Sequence, residues 1–92
     1  MLYHRIEFTK SFVKQFKKLR PQQKERFYER LKLFKENPHD RTLRDHALKG
    51  KYTGYRSIDI EGDLRALYYI KGDVVIIFAF IGRTHNYTKP QS

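Results

Sequence analysis

Residues 74–81 read Val-Val-Ile-Ile-Phe-Ala-Phe-Ile. A near-continuous apolar run rich in β-branched and aromatic residues is the pattern of a strand buried on both faces. Lys71-Gly72-Asp73, just before it, is a tight hairpin turn. Upstream, Leu64 to Ile70 alternates: Leu64, Ala66, Tyr68 and Ile70 take one face, and Arg65, Leu67 and Tyr69 the other. Glu61-Gly62-Asp63 is a second turn. Before it, Tyr52 to Ile60 alternates too, with Ile58 and Ile60 opposed to Tyr55, Ser57 and Asp59.

The first half of the chain reads as support for these strands. Residues 3–8, Tyr-His-Arg-Ile-Glu-Phe, make a short strand, and Thr9 stands where an N-cap is wanted. Phe12, Val13, Phe16 and Leu19 repeat at helical spacing and predict a helix over 10–19. Pro21 ends that helix and suits the first turn of a second one, from about 21 to 35. Phe27, Leu31 and Phe34, joined by Tyr28, are its apolar stripe, and Asn37-Pro38 stops it. A stripe at this spacing is core rather than ligand box. Residues 38–51 are a polar loop anchored by Leu43, Ala47 and Leu48. The expected architecture is α+β, in the order β-α-α-β-β-β. A helix hairpin covers one face of an antiparallel sheet, and the face carrying Arg65 stays partly open. At 92 residues, without repeats, residues 1–92 form a single domain.

Composition narrows the partners. Twenty Lys and Arg against ten Asp and Glu leave a net charge of +10, which implies an anionic partner: nucleic acid, an acidic protein, or both. The bland alternative is a lysine-rich solvated surface. There is no cysteine, so neither disulfides nor zinc–thiolate sites are available, and the scattered histidines do not form a metal-ligand spacing. His4 and His39 belong to no constellation. Met1-Leu2-Tyr3-His4-Arg5 lacks a signal-peptide core and no segment has membrane-spanning length, so a cytoplasmic protein is expected.

The residues around the strands suit metal-free RNA cleavage, in which the 2′-hydroxyl attacks the adjacent phosphorus. Such a site needs groups that move protons and groups that neutralise the phosphate. Histidine is the side chain suited to either proton transfer, so His46 can serve as acid or base; the alternative is a loop histidine capping a backbone carbonyl. Asp63 and Arg65, two apart on a strand, share a face, with Asp59 on the neighbouring strand beside them. A local surface ion pair is the rival reading there. His85 and Tyr87, among Arg83 and Lys89, offer a place for a base to stack; a loose C-terminus is the alternative. Lys49 and Lys51 flank Gly50 and read either as phosphate steering or as solvated lysines. Arg56 turns toward the helices, where bracing a carboxylate is as natural as touching substrate.

The ordered set Asp45-His46-Ala47-Leu48-Lys49-Gly50, Gly54-Tyr55-Arg56, Asp63-x-Arg65-x-x-Tyr68 and Gly82-x-x-His85 resembles the RelE/ParE superfamily of bacterial type II toxins, closest to its YafQ-like branch. Phe8-Thr9-Lys10-Ser11-Phe12 and the lysine-rich first helix resemble it as well, so the likeness covers nearly the whole chain. The resemblance implies a microbial-RNase-type fold with a curved sheet and no cofactor. It implies a ribosome-dependent endoribonuclease, an mRNA interferase that cuts mRNA in the 30S A site beside 16S rRNA. It implies neutralisation by an acidic cognate antitoxin, in a hetero-oligomer that binds operator DNA through the antitoxin. By position, His46, Asp63 and His85 match the acid/base residues, Arg65 a phosphate-holding arginine, and Tyr87 an aromatic that stacks or orients the nucleotide. Lys49, Lys51, Asp59 and Arg83 join as substrate-binding candidates. Asp59 stands where the branch often has a second histidine, and Leu64 where it can have tryptophan. A gyrase-inhibiting, non-nuclease toxin of the ParE type and a non-catalytic RNA-binding module are the competing readings.

Overall fold

Thr9 is the joint between the sheet and the helices. In the computed structural model, which describes residues 5–72 and 75–83, strand β1 (Arg5–Phe8) ends there and helix α1 (Lys10–Lys17) begins. The Thr9 hydroxyl oxygen accepts from the Phe12 amide at 3.0 Å, capping the helix, and its proton goes to the Ala79 carbonyl at 2.8 Å. Helix α2 (Pro21–Glu36) starts on its proline, with the Gln23 side chain accepting from the Arg20 amide at 3.0 Å. Two 3₁₀ turns (Arg41–Leu43 and Gly50–Tyr52) flank a short strand β2 (His46–Ala47). Strands β3 (Arg56–Glu61), β4 (Leu64–Lys71) and β5 (Val75–Arg83) follow.

The sheet has five strands in the order β1-β5-β4-β3-β2. From β2 to β5 every pairing is antiparallel, as expected, but β1 lies parallel to β5, so the sheet is mixed. The helix hairpin carries the chain off β1 and across the sheet, which frees the β1 edge to pair with the last strand. The fifth strand comes from the segment read as loop: His46 and Ala47 pair with Ser57 and Arg56. The strand expected from Tyr52 starts only at Arg56. Gly54 at φ 98 and the Tyr55 amide bonded to the Tyr52 carbonyl make residues 52–55 a turn.

One face of the sheet packs on the helices. Phe12, Phe27, Leu31 and Phe34 meet Ile58, Ile60, Leu64, Ala66, Tyr68, Ile76, Phe78 and Ile81 in a buried core. Between Leu67 and Tyr68 the register to β5 slips by one, because Leu67 faces Phe80 while Tyr68 faces Phe78. This bulge at Ala79 sends Phe78 into the helix-side core and Phe80 to the far face. There Phe80 joins Tyr52, Tyr55 and Tyr69, with ring centroids 5.5–6.4 Å apart. The Tyr52 ring thus covers part of this face, while Asp59, Arg65, Tyr69 and Phe80 stay partly exposed, as expected.

Candidate functional site

Antiparallel register fixes what shares the far face. His46 stands opposite Ser57, Ser57 opposite Leu67, and Leu67 opposite Phe80. The next row on that face is Asp59, Arg65 and Gly82. Same-face residues along a strand are about 7 Å apart, so exposed His46 neighbours the Asp59–Arg65 row. Ser57, between them, is buried with no hydrogen-bond partner for its hydroxyl among the described residues.

Asp59 is 16% exposed and anchors this region. Its Oδ1 accepts from Arg65 Nε at 2.5 Å, and its Oδ2 faces Arg44 Nε at 3.5 Å. Two arginines thus meet on one carboxylate beside His46. His46 Nδ1 lies 2.8 Å from the Arg44 carbonyl oxygen. A carbonyl only accepts, so Nδ1 carries the proton, and Nε2 of the neutral ring is left as the acceptor. The carbonyl-capping reading of His46 is thus met in fact, and it leaves the second nitrogen for chemistry.

On the helix side, Asp45 holds the segment in place. Its Oδ1 accepts from Arg56 Nε at 2.8 Å and its Oδ2 from the Tyr68 hydroxyl at 2.5 Å. Tyr68 packs on Phe34 and Phe78. Burial, then the hydrogen bond and charge of Asp45, push its hydroxyl well above the ordinary tyrosine range. Burial alone would lower Arg56, but the hydrogen bond and charge of Asp45 outweigh it and hold the guanidinium more firmly protonated. Of the two readings open for Arg56, the structure gives the carboxylate brace.

The other candidates divide. Lys51 places its ammonium 5.5 Å from the Tyr52 ring centre, at the rim of the aromatic cluster on the far face. Lys49 is exposed at the start of the same turn. Asp63 is exposed in the β3–β4 turn, bordering the Asp59–Arg65 row. Arg83 is separated from the group: it stands opposite buried Leu64 and lines a groove of about 340 Å³ with Lys18, Leu19 and Arg20 on the helix side. Single-residue alternation past the Ala79 bulge dictates that placement. His85 and Tyr87 lie outside the described residues. Sequence reasoning missed Arg44, which sits in a loop without periodicity, and the aromatic cluster, whose Tyr52 and Phe80 arrive through a turn and a bulge. Tyr55 and Tyr69 were legible as far-face residues from alternation.

Known proteins bear on this arrangement. A family model described as a bacterial toxin of type II toxin–antitoxin system, YafQ, matches residues 4–88. The crystal structure of YafQ from E. coli superposes with a TM-score of 0.74 at 25% identity, covering 88% of this chain and 93% of that one. An archaeal RelE–RelB complex from Pyrococcus horikoshii gives 0.69 at 26% identity, covering 90% and 96%. The E. coli DinJ–YafQ toxin–antitoxin complex gives 0.75 at 22% identity, covering 95% and 98%, a likeness of fold. Among curated protein sequences none matches the chain.

Proposed function

The chain belongs to the YafQ family of bacterial toxins of type II toxin–antitoxin systems, and from that premise we propose that it is a ribosome-dependent endoribonuclease cutting mRNA in the A site. The observation that carries this reading is His46 beside two arginines on a shared carboxylate, on the sheet face away from the helices. RNA supplies its own nucleophile. Nε2 of His46 takes the 2′-hydroxyl proton, and the 2′-oxygen attacks phosphorus. The 5′-oxygen leaves with a proton from His85, giving a 2′,3′-cyclic phosphate and a 5′-hydroxyl end. Arg65 holds the phosphate as charge builds on its oxygens. Asp63, at the edge of this row, assists the proton transfers. Lys49 and Lys51 steer the backbone, Tyr87 stacks the nucleotide, and Asp59 orients Arg65. No cofactor or metal is required.

The partners follow from the same premise. A net charge of +10 favours ribosomal RNA and mRNA, and equally an acidic antitoxin. Relatives are solved as DinJ–YafQ and RelE–RelB complexes. We expect a hetero-oligomer in which the antitoxin both neutralises this chain and carries it to operator DNA. Among the described residues no helix is long and apolar enough to cross a membrane.

An in vitro translation reaction with a defined mRNA tests the reading. Fragments should end in cyclic phosphate at codon-phased positions and appear only with ribosomes. His46→Ala should slow their formation by about 10²–10⁴-fold and relieve growth arrest, with fold and antitoxin binding kept. Intact mRNA together with gyrase-dependent DNA breaks would assign the chain to the non-nuclease alternative.

A further inference from the structure

Arg44 is the one non-glycine residue with positive φ among the described residues, at φ 50 and ψ 43. For a side chain this long the left-handed region is uncommon, and the surroundings must impose it. Both neighbours do. Leu43 is fully buried in the helix-side core. Asp45 is tied to Arg56 and Tyr68. With residues 43 and 45 both pinned to the helix side, Arg44 is turned outward. Its side chain, 75% exposed, reaches Asp59, and its carbonyl receives the His46 Nδ1 proton.

We propose that Arg44 is a second phosphate-binding residue, acting with Arg65 across the shared Asp59 carboxylate on the substrate's backbone next to His46. Both arginines approach Asp59 through Nε, one on each oxygen. Arg65 is held by a hydrogen bond and Arg44 by a looser ion-pair contact of 3.5 Å, so the exposed fork of Arg44 is available for a phosphate oxygen. Asp59 alone would cancel a single arginine. The second arginine adds a further positive charge for an anionic ligand. The left-handed backbone at residue 44 links this binding group to the proton acceptor, because one residue supplies both the guanidinium and the carbonyl that sets the His46 tautomer. The inference rests on the endoribonuclease reading for its substrate.

Arg44→Gly is the informative variant. Glycine accepts the left-handed backbone without strain and keeps the carbonyl, so only the guanidinium is lost. Two measurements are made on wild type, Arg44→Gly and Arg44→Lys. The first is cleavage of a defined mRNA on programmed ribosomes. The second is binding of a single-stranded RNA oligonucleotide carrying one 2′-deoxy nucleotide, as a function of salt. Arg44→Gly should unfold no earlier than wild type. It should lose roughly tenfold to a hundredfold in kcat/KM, and its salt slope should flatten by about 0.7, one phosphate contact on a single strand. Arg44→Lys should keep the slope and regain part of the rate. Wild-type cleavage and salt slope in Arg44→Gly would overturn the proposal. If wild type itself leaves mRNA intact, the endoribonuclease reading falls, and the oligonucleotide slope alone decides Arg44.

Discussion

Asp45, Arg56 and Tyr68 form a polar group set into the edge of an aromatic core. Only Tyr68 belongs to the core itself, and its hydroxyl reaches out to a carboxylate 14% exposed. Removing that hydroxyl leaves Asp45 with Arg56 as its charged partner, so Tyr68→Phe should cost about 1–3 kcal/mol in urea unfolding. The pH dependence is sharper. A pKa raised in the folded state means that folded Tyr68 keeps its proton where the unfolded tyrosine loses it. The contribution is full below the unfolded value of about 10 and declines as pH rises beyond it. Wild type should therefore lose about 1.4 kcal/mol per pH unit above pH ~10, and Tyr68→Phe should lack this component. Comparing urea midpoints at pH 9 and pH 11 reads it; equal slopes in the two proteins would sink the assignment. The same residues pin position 45, between Arg44 and His46.

Strand β5 outruns β1, which pairs with it only from Val75 to Phe78. Beyond Phe78 its edge needs other partners, and α1 supplies them. The Thr9 amide donates to the Phe78 carbonyl at 3.0 Å, the Thr9 hydroxyl to Ala79, and the Ile81 amide donates to Gln15 Oε1 at 2.8 Å. A helix thus covers an edge that would otherwise offer itself to other strands. Thr9→Ala removes both a helix cap and an edge contact and should cost about 2 kcal/mol, whereas Thr9→Ser should retain most of it. Thermal unfolding of the two variants checks the difference. A similar device holds β3, where the register shifts between Asp59 and Glu61 and Arg30 Nε donates to the Ile60 carbonyl at 3.2 Å.

Over the described residues, the two faces of the sheet carry different groups. The helix side holds the aromatic core, and the far side carries Asp59 with its arginines and the tyrosine cluster. A net charge of +10 makes any RNA contact a counterion-release process. Affinity for ribosomes should fall linearly on a log–log plot as salt rises. Filter binding across a salt series measures this. An affinity indifferent to salt would mean that the basic excess is only a solvated surface.

The sequence by itself determined the helix hairpin, the three closing strands, the helix-side core and the shared face of Tyr55, Ser57, Asp59 and Arg65, because period and turn chemistry are local properties. It also carried the family resemblance that the match over residues 4–88 bears out. The tertiary structure alone decided the parallel β1–β5 pairing, the short β2 strand, the bulge that parts Phe80 from Phe78, and the meeting of Arg44 with Asp59. Each of these joins residues distant in sequence, or breaks an alternation at one position. Neither leaves a periodic signal, and the free energy that selects it comes from packing and from pairing polar groups across the finished sheet.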